Sequence, residues 1–174
     1  EPVQAFDRIP DVSADEAAEL GRRFGLKGRV DLYHAFLLAM ADVLADGGRM
    51  AAITSNRFMT TRGAAMLRRA LYDRLRVLRV WDLGDTKLFD AAILPAIFIG
   101  RRRGAEPPQR PSGSRRFVKI YTSEEMNRNG NTNVQVAGDI YAVIDDGKPG
   151  KYRVGQTCFD VTTGTLEAAS DPRA

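Results

Sequence analysis

The chain has 174 residues, 44% of them hydrophobic and 28% charged, with a formal net charge of +4. That is enough apolar material for one packed domain or slightly more, and no run approaches the roughly 18 apolar residues of a membrane span. The single cysteine, Cys158, excludes an internal disulfide and a cysteine zinc cluster and fits a reducing compartment such as the cytoplasm.

The chain opens on EPVQAFDRIP, without a methionine, so we expect a segment of a longer protein. SADEAAELGRRFG, from Ser13, predicts a short helix: Ser13 is an N-cap with Glu16 three residues on, and Gly21 or Gly25 stands near the end. DLYHAFLLAMADVLADGG predicts a longer one. Its apolar residues Leu32, Tyr33, Phe36, Leu37, Met40, Val43 and Leu44 recur at helical spacing. Asp31 can cap its start, and Gly47-Gly48 ends it. RMAAITS then reads as a strand covered on both faces. A third helix should open at Thr60 or Thr61 and bury Met66, Leu67, Ala70 and Leu71. Two further strands follow, VLRVWDLG (Val77–Gly84) and ILPAIFIG (Ile93–Gly100). Pro95 lacks a ladder donor, which argues for an edge position or a bulge there.

Helices alternating with buried strands predict an α/β fold with a mostly parallel sheet. The last two strands are too close in sequence for a parallel crossover, so they should pair antiparallel. RRRGAEPPQRPSGSRR, Arg101 to Arg116, sets six arginines against Glu106 alone. Its prolines and glycines forbid regular structure. It reads either as a solvated linker or as a flexible arm whose arginines neutralise phosphates. Beyond it, FVKIYTS predicts a strand, SEEMNR one helical turn, and DIYAVIDDGKPGKYRVGQ a β-rich stretch with a Gly-Lys-Pro-Gly turn. Thr162–Ala174 has no organised pattern. We divide the chain at 1–103, 104–116 and 117–174.

Few residues suggest a self-contained active site. His34 is the only histidine, and a lone helical histidine is most often structural. No metal-ligand spacing and no glycine-rich phosphate loop occur. Two loops resist an explanation by packing. TSNRF, Thr54 to Phe58, and Gly84–Ala92 both leave the carboxyl ends of strands, where α/β sheets bind ligands. The plainer readings are that Ser55 or Asn56 caps the next helix, and that Phe89 folds back as a lid on the core.

The ordered motifs resemble the second half of the catalytic domain of adenine-specific DNA methyltransferases, nearest to type IIG restriction-modification enzymes. The residues carrying the resemblance are Gly28-Arg29, Asp31-Leu32-Tyr33, Phe36, Gly47-Gly48-Arg49, Ile53, Asn56, Phe58, Leu67-Arg68, Gly84-Asp85 and Phe89. It covers about residues 28 to 103. It implies a Rossmann-like S-adenosylmethionine methyltransferase sheet, here its C-terminal half, ending in an antiparallel strand pair and followed by a β-rich segment. It implies S-adenosylmethionine as cofactor, double-stranded DNA as partner, and an adenine flipped out of the duplex. By position Phe89 stacks on that base, while Tyr33, Asn56, Asp85 and Lys87 lie on the pocket rim. Arg101, Arg102, Arg103, Arg110, Arg115 and Arg116 would contact phosphates.

The family's Asn-Pro-Pro-Tyr motif and its cofactor-binding glycine motif are absent from this sequence, whose only Pro-Pro is Pro107-Pro108. No catalytic residue or metal ligand is therefore expected in this chain, and residues 117–174 would begin a target-recognition region. A half-sheet exposes an unpaired edge, so an isolated chain is expected to dimerise or rearrange there. The competing expectation is a non-catalytic nucleic-acid-binding module with a methyltransferase-like half-fold.

Overall fold

The computed structural model describes residues 13–26, 31–89, 93–104, 116–123 and 134–165. Helix α1 (Ala14–Phe24) starts on the expected capping box: the Ser13 hydroxyl accepts from the Glu16 amide while the Glu16 carboxylate accepts from the Ser13 amide. Gly25 ends it in the left-handed conformation. Helix α2 (Leu32–Val43) leads to strand β1 (Arg49–Ser55). A one-turn helix α3 (Arg57–Thr60) and a 3-10 turn precede α4 (Ala65–Arg74). Strands β2 (Leu75–Asp82), β3 (Pro95–Arg102) and β4 (Arg116–Ser123) come next, then β5 (Val134–Val136), helix α5 (Ile140–Asp146), β6 (Gly150–Val154) and β7 (Thr157–Thr165).

The seven strands among the described residues join one sheet in the order β1-β3-β2-β4-β7-β6-β5. The expected antiparallel pairing of β2 with β3 is present, from Leu75↔Arg102 to Asp82↔Ala96. The sheet is not mostly parallel, however: only β2–β4 and β5–β6 pair in parallel. The reason is placement. Strand β3 lies between β1 and β2 and runs against both, so those two strands never touch. Pro95 therefore begins a central strand. It is tolerated there because a first strand residue can forgo its ladder donor. The irregularity in the ladder falls instead between Val77 and Arg79 of β2.

Period-two alternation splits the core between the two faces of the sheet. Val80 and Phe98 face a cluster formed with α1, α2 and α4, where Leu38, Leu67 and Leu75 are fully buried. Each such side chain contributes roughly 1.5–3 kcal/mol of transfer free energy. Trp81 and Ile97 face a second cluster with Val118, Ile120, Val143 and Phe159. Strands on either side of the 104–116 segment thus share one sheet and one of its cores.

Four further expectations need correction. First, α2 buries a face only partly the one its periodicity suggested: His34, Ala35, Leu37, Leu38 and Ala41 are inside, and Tyr33, Met40 and Leu44 pack against that core. Leu32, Phe36 and Val43 are 44%, 62% and 83% exposed, because this helix is apolar nearly all round and periodicity cannot choose between its faces. Asp31 makes no capping bond. Second, the helix expected at Thr60 or Thr61 begins at Ala65 and leaves Met66 exposed. Third, residues 140–146 are helical rather than extended. Asp139 accepts from the Ala142 amide at the start, Gly147 turns left-handed at the end, and Val143 is buried. Fourth, Thr162–Thr165 is not patternless; it completes β7 against β4. The helical turn expected in SEEMNR falls, but for Ser123, outside the described residues, as do Arg110 and Arg115. Among the described residues no helix is long and apolar enough to cross a membrane.

Candidate functional site

Strands β1 and β2 end on one rim, where Ser55 pairs with Pro95 and Asp82 with Ala96. The Asn56 amide N–H reaches back to the Leu94 carbonyl (2.8 Å), and that of Leu83 to the Pro95 carbonyl (3.0 Å). Strand β4 runs parallel to β2, with Lys119 opposite Asp82, so Tyr121 and Thr122 project past β2 toward the same rim. Two loops and a strand end therefore converge there.

Asp82 is the hub of this cluster. It is only 8% exposed. Its Oδ1 accepts from the Asn56 side-chain amide (3.1 Å) and from the Gly84 backbone amide (3.2 Å), and its Oδ2 accepts from the Tyr121 hydroxyl (3.0 Å). Asn56 therefore does not spend its side chain capping α3; the nearby Ser55 hydroxyl accepts from the Arg57 amide instead. Burial, with the hydrogen bond to Asp82, pushes the Tyr121 phenol up to about 12. It stays a neutral donor at physiological pH.

Gly84 is required twice over. Its φ of +47° lies in the left-handed region, and a Cβ there would sit 2.7 Å from carbons of the Tyr121 ring. One residue on, the Asp85 carboxylate accepts from both the backbone amide (2.9 Å) and the hydroxyl of Thr122. Desolvation works to raise the Asp85 pKa, but the two hydrogen bonds from Thr122, with the Asp85 backbone amide and the charge of Lys87, together outweigh it and hold the carboxyl below its usual range. Lys87 follows at φ +51°, the one non-glycine positive φ among the described residues. Such backbone costs of order 1–3 kcal/mol and persists where its surroundings over-determine it. Leu88 then packs into the second core, while Phe89 stays 48% exposed. The side chain that folds back is Leu88, and the larger ring is left at the surface.

Tyr33 stands in the first turn of α2. It lines an apolar groove of about 920 Å³ between α1, α2 and the end of β1, together with Leu20, Phe24, Phe36, Ser55 and Arg57. Burial and the charge of Asp31 raise its pKa. Asp82 thus links Asn56 to the start of the loop that carries Asp85, Lys87 and Phe89, while Tyr33 shares its groove with Ser55 and Arg57 on either side of Asn56.

The arginines lie elsewhere again. Arg101 and Arg102 close the far end of β3 from the loop, about seven residues or 23 Å away at ~3.3 Å per residue. Arg101 donates to the Gly47 carbonyl (3.0 Å), Arg102 to that of Ala41 (3.0 Å), and Arg103 to those of Tyr72 (2.8 Å) and Leu75 (3.2 Å). These carbonyls lie at or just beyond the ends of α2 and α4, so the three guanidinium groups tie helix ends to the sheet. Arg116 opens β4 and donates to the Gly147 carbonyl (3.2 Å).

Reading the sequence missed Asp82 as an anchor and missed Tyr121 and Thr122 altogether. An acidic residue ending an apolar strand just before Gly84 was the available signal for the first. Nothing local marks the other two, whose partners lie 37 and 39 residues away. No group of three or more His, Cys, Asp or Glu able to hold a metal ion occurs among the described residues.

Residues 11–89, which build α1 through the Phe89 loop, match the family described as Eco57I restriction-modification methylase. The chain is 35% identical over 162 residues to the Type II methyltransferase M.BanIII of Aneurinibacillus aneurinilyticus, covering 92% of this chain and 27% of that protein. It thus spans about a quarter of that relative's length. Two solved structures are similar in part. One is described as a class I S-adenosylmethionine-dependent methyltransferase from Listeria monocytogenes, 15% identical with a TM-score of 0.48 over 63% of this chain and 32% of that one. The other is the type IIG restriction endonuclease BpuSI, 17% identical with a TM-score of 0.41 over 60% of this chain and 12% of that one. This chain is thus similar to restriction-modification methyltransferases: the family match runs across the rim, and the alignment to the Type II methyltransferase runs along nearly the whole of this chain.

Proposed function

We propose that this chain is the base-facing part of a DNA methyltransferase that moves a methyl group from S-adenosylmethionine to adenine N6. The observation that carries this reading is the Asp82-anchored loop that leaves Phe89 half exposed on the rim shared by β1 and β2. An exposed ring on an anchored loop offers a stacking face to a flipped base, an interaction worth about 1–3 kcal/mol. Asn56, Asp85 and Lys87 would flank that base. The linker arginines, Arg110 and Arg115 among them, would meet phosphates, and residues 117–174 would begin target recognition. The described residues contain no glycine-rich strand-to-helix turn of the kind that cradles a nucleotide-like cofactor. They do not fit the main cofactor site, and no step is assigned to them through it.

The test uses the complete methylase with methyl-labelled S-adenosylmethionine and unmethylated DNA, followed by digestion to nucleosides. Label in N6-methyladenine is expected. Label in a methylated cytosine overturns the base assignment. Salt-dependent DNA binding without transfer favours a non-catalytic binding module.

The outer edge of β1 has no strand partner among the described residues, and Ile53 on that strand is 60% exposed. With the exposed apolar residues of α2, this supports self-association of the chain on its own. Light scattering at high concentration is expected to give a dimer or larger; a clean monomer counts against it.

A further inference from the structure

The Phe89 loop is held from outside its own segment. Three contacts reach it from β4, beyond the 104–116 segment: the Thr122 amide and hydroxyl on the Asp85 carboxylate, the Tyr121 hydroxyl on Asp82, and the Tyr121 ring over Gly84. Tyr121 is fixed in turn by the Lys119 ammonium, 4.2 Å from its ring centroid. On the side of β1 and β3, the loop region is held through Asn56 on Asp82, the Asn56 amide on the Leu94 carbonyl and the Leu83 amide on the Pro95 carbonyl. From Gly84 onward, the loop is held by Tyr121 and Thr122, by Asp82 Oδ1 on the Gly84 amide, and by the packing of Leu88 into the second core.

We infer that Thr122 and Tyr121 are positioning residues that hold Gly84–Phe89 in its base-facing form. The inference rests on the base-side reading of Phe89 and extends it to a segment that the family match, which ends at residue 89, does not cover. The bidentate contact fixes the Asp85 carboxylate, hence the backbone on either side of it. Tyr121 closes the space over Gly84, so the turn cannot fold toward β4. The left-handed Lys87 then directs Leu88 inward and leaves Phe89 outward. Neither Thr122 nor Tyr121 touches the base.

The experiment compares Thr122→Val, Thr122→Ser and Tyr121→Phe in the complete methylase. Valine keeps the shape of threonine and loses the hydroxyl; serine keeps the hydroxyl. Two quantities are read: amide hydrogen exchange across residues 83–89, and the steady-state constants for methyl transfer to unmethylated DNA. Thr122→Val is expected to speed exchange in 83–89 by about three- to tenfold, on the scale of one exposed charge-assisted hydrogen bond. Exchange in β1 and β3 should stay unchanged. The same variant should lower kcat with little change in KM for S-adenosylmethionine, and Thr122→Ser should restore both readouts. Tyr121→Phe should repeat the pattern more weakly, which keeps the test decisive if Thr122→Val folds poorly. Wild-type exchange in 83–89 for both Thr122→Val and Tyr121→Phe overturns the inference. So does a loosened loop with unchanged transfer, or failure of serine to restore. The exchange measurement does not depend on base stacking. A Phe89→Ala variant with normal transfer would therefore remove the reading of the loop's purpose and leave the holding contacts established.

Discussion

Phe89→Ala in the complete methylase is expected to lower methyl transfer by roughly five- to 150-fold, the kinetic equivalent of about 1–3 kcal/mol of lost stacking. Stability should change little, by about 0.5 kcal/mol or less, because the ring is 48% exposed and Leu88 supplies the anchorage beside it. The combination is diagnostic. A lid residue removed from a core would lower the melting temperature, whereas a stacking residue removed from a rim should leave it in place. Phe89→Trp should retain most of the activity, since any flat π-face can stack. The measurements are initial rates of methyl transfer and binding to duplexes with an abasic or mismatched target position, where extrusion of the base costs least. Unchanged rates together with unchanged binding would remove the stacking role.

Asp82→Ala should give the largest stability loss of any single change on the rim. It leaves the Asn56 amide, the Gly84 amide and the Tyr121 hydroxyl without their acceptor in a buried place. Each orphaned group costs about 1–3 kcal/mol, and the three are coupled rather than additive, so a total of about 3 kcal/mol or more is expected. In a chain of this size that corresponds to a drop of roughly 6–12 °C in Tm. Asp82→Asn should fall between. It keeps one acceptor oxygen but turns an NH2 donor toward another donor. Asp85→Ala, whose carboxylate is exposed, should cost about 1 kcal/mol or less. Thermal unfolding followed by circular dichroism checks the order. Equal Tm values for Asp82→Ala and the parent protein would show that the hub contributes no net stability.

Much of this molecule follows from local chemistry. The Ser13–Glu16 capping box, the limits of β1, and the antiparallel meeting of β2 and β3 are set by neighbours in sequence. So is the exit of both loops from strand ends onto one side. The ordered motif set was enough to indicate the methyltransferase resemblance, and Gly84 was legible as part of it. The strand limits near Val77 and Ile93 shifted by about two residues, because pairing with β3 and β2, rather than composition, decides where a ladder stops.

What only the tertiary structure decided has one physical reason behind it: each case is a choice between locally equivalent options, resolved by a partner distant in sequence. Helix α2 is apolar on several faces, and packing against α4 and the sheet determined that His34 and Leu38 go inside while Phe36 stays out. Residues 140–146 could read as strand or helix until Asp139, Gly147 and the burial of Val143 fixed the helix. The carbonyls near the ends of α2 and α4 to which Arg101–Arg103 donate were likewise out of reach of the sequence. The loop carrying Phe89 took its shape from Tyr121 and Thr122, because a short loop with one left-handed glycine and one left-handed lysine has no single preferred form of its own. Local sequence determined that an aromatic would stand in an exposed turn between two buried strands. Contacts reaching back from β4 determined how that turn holds it.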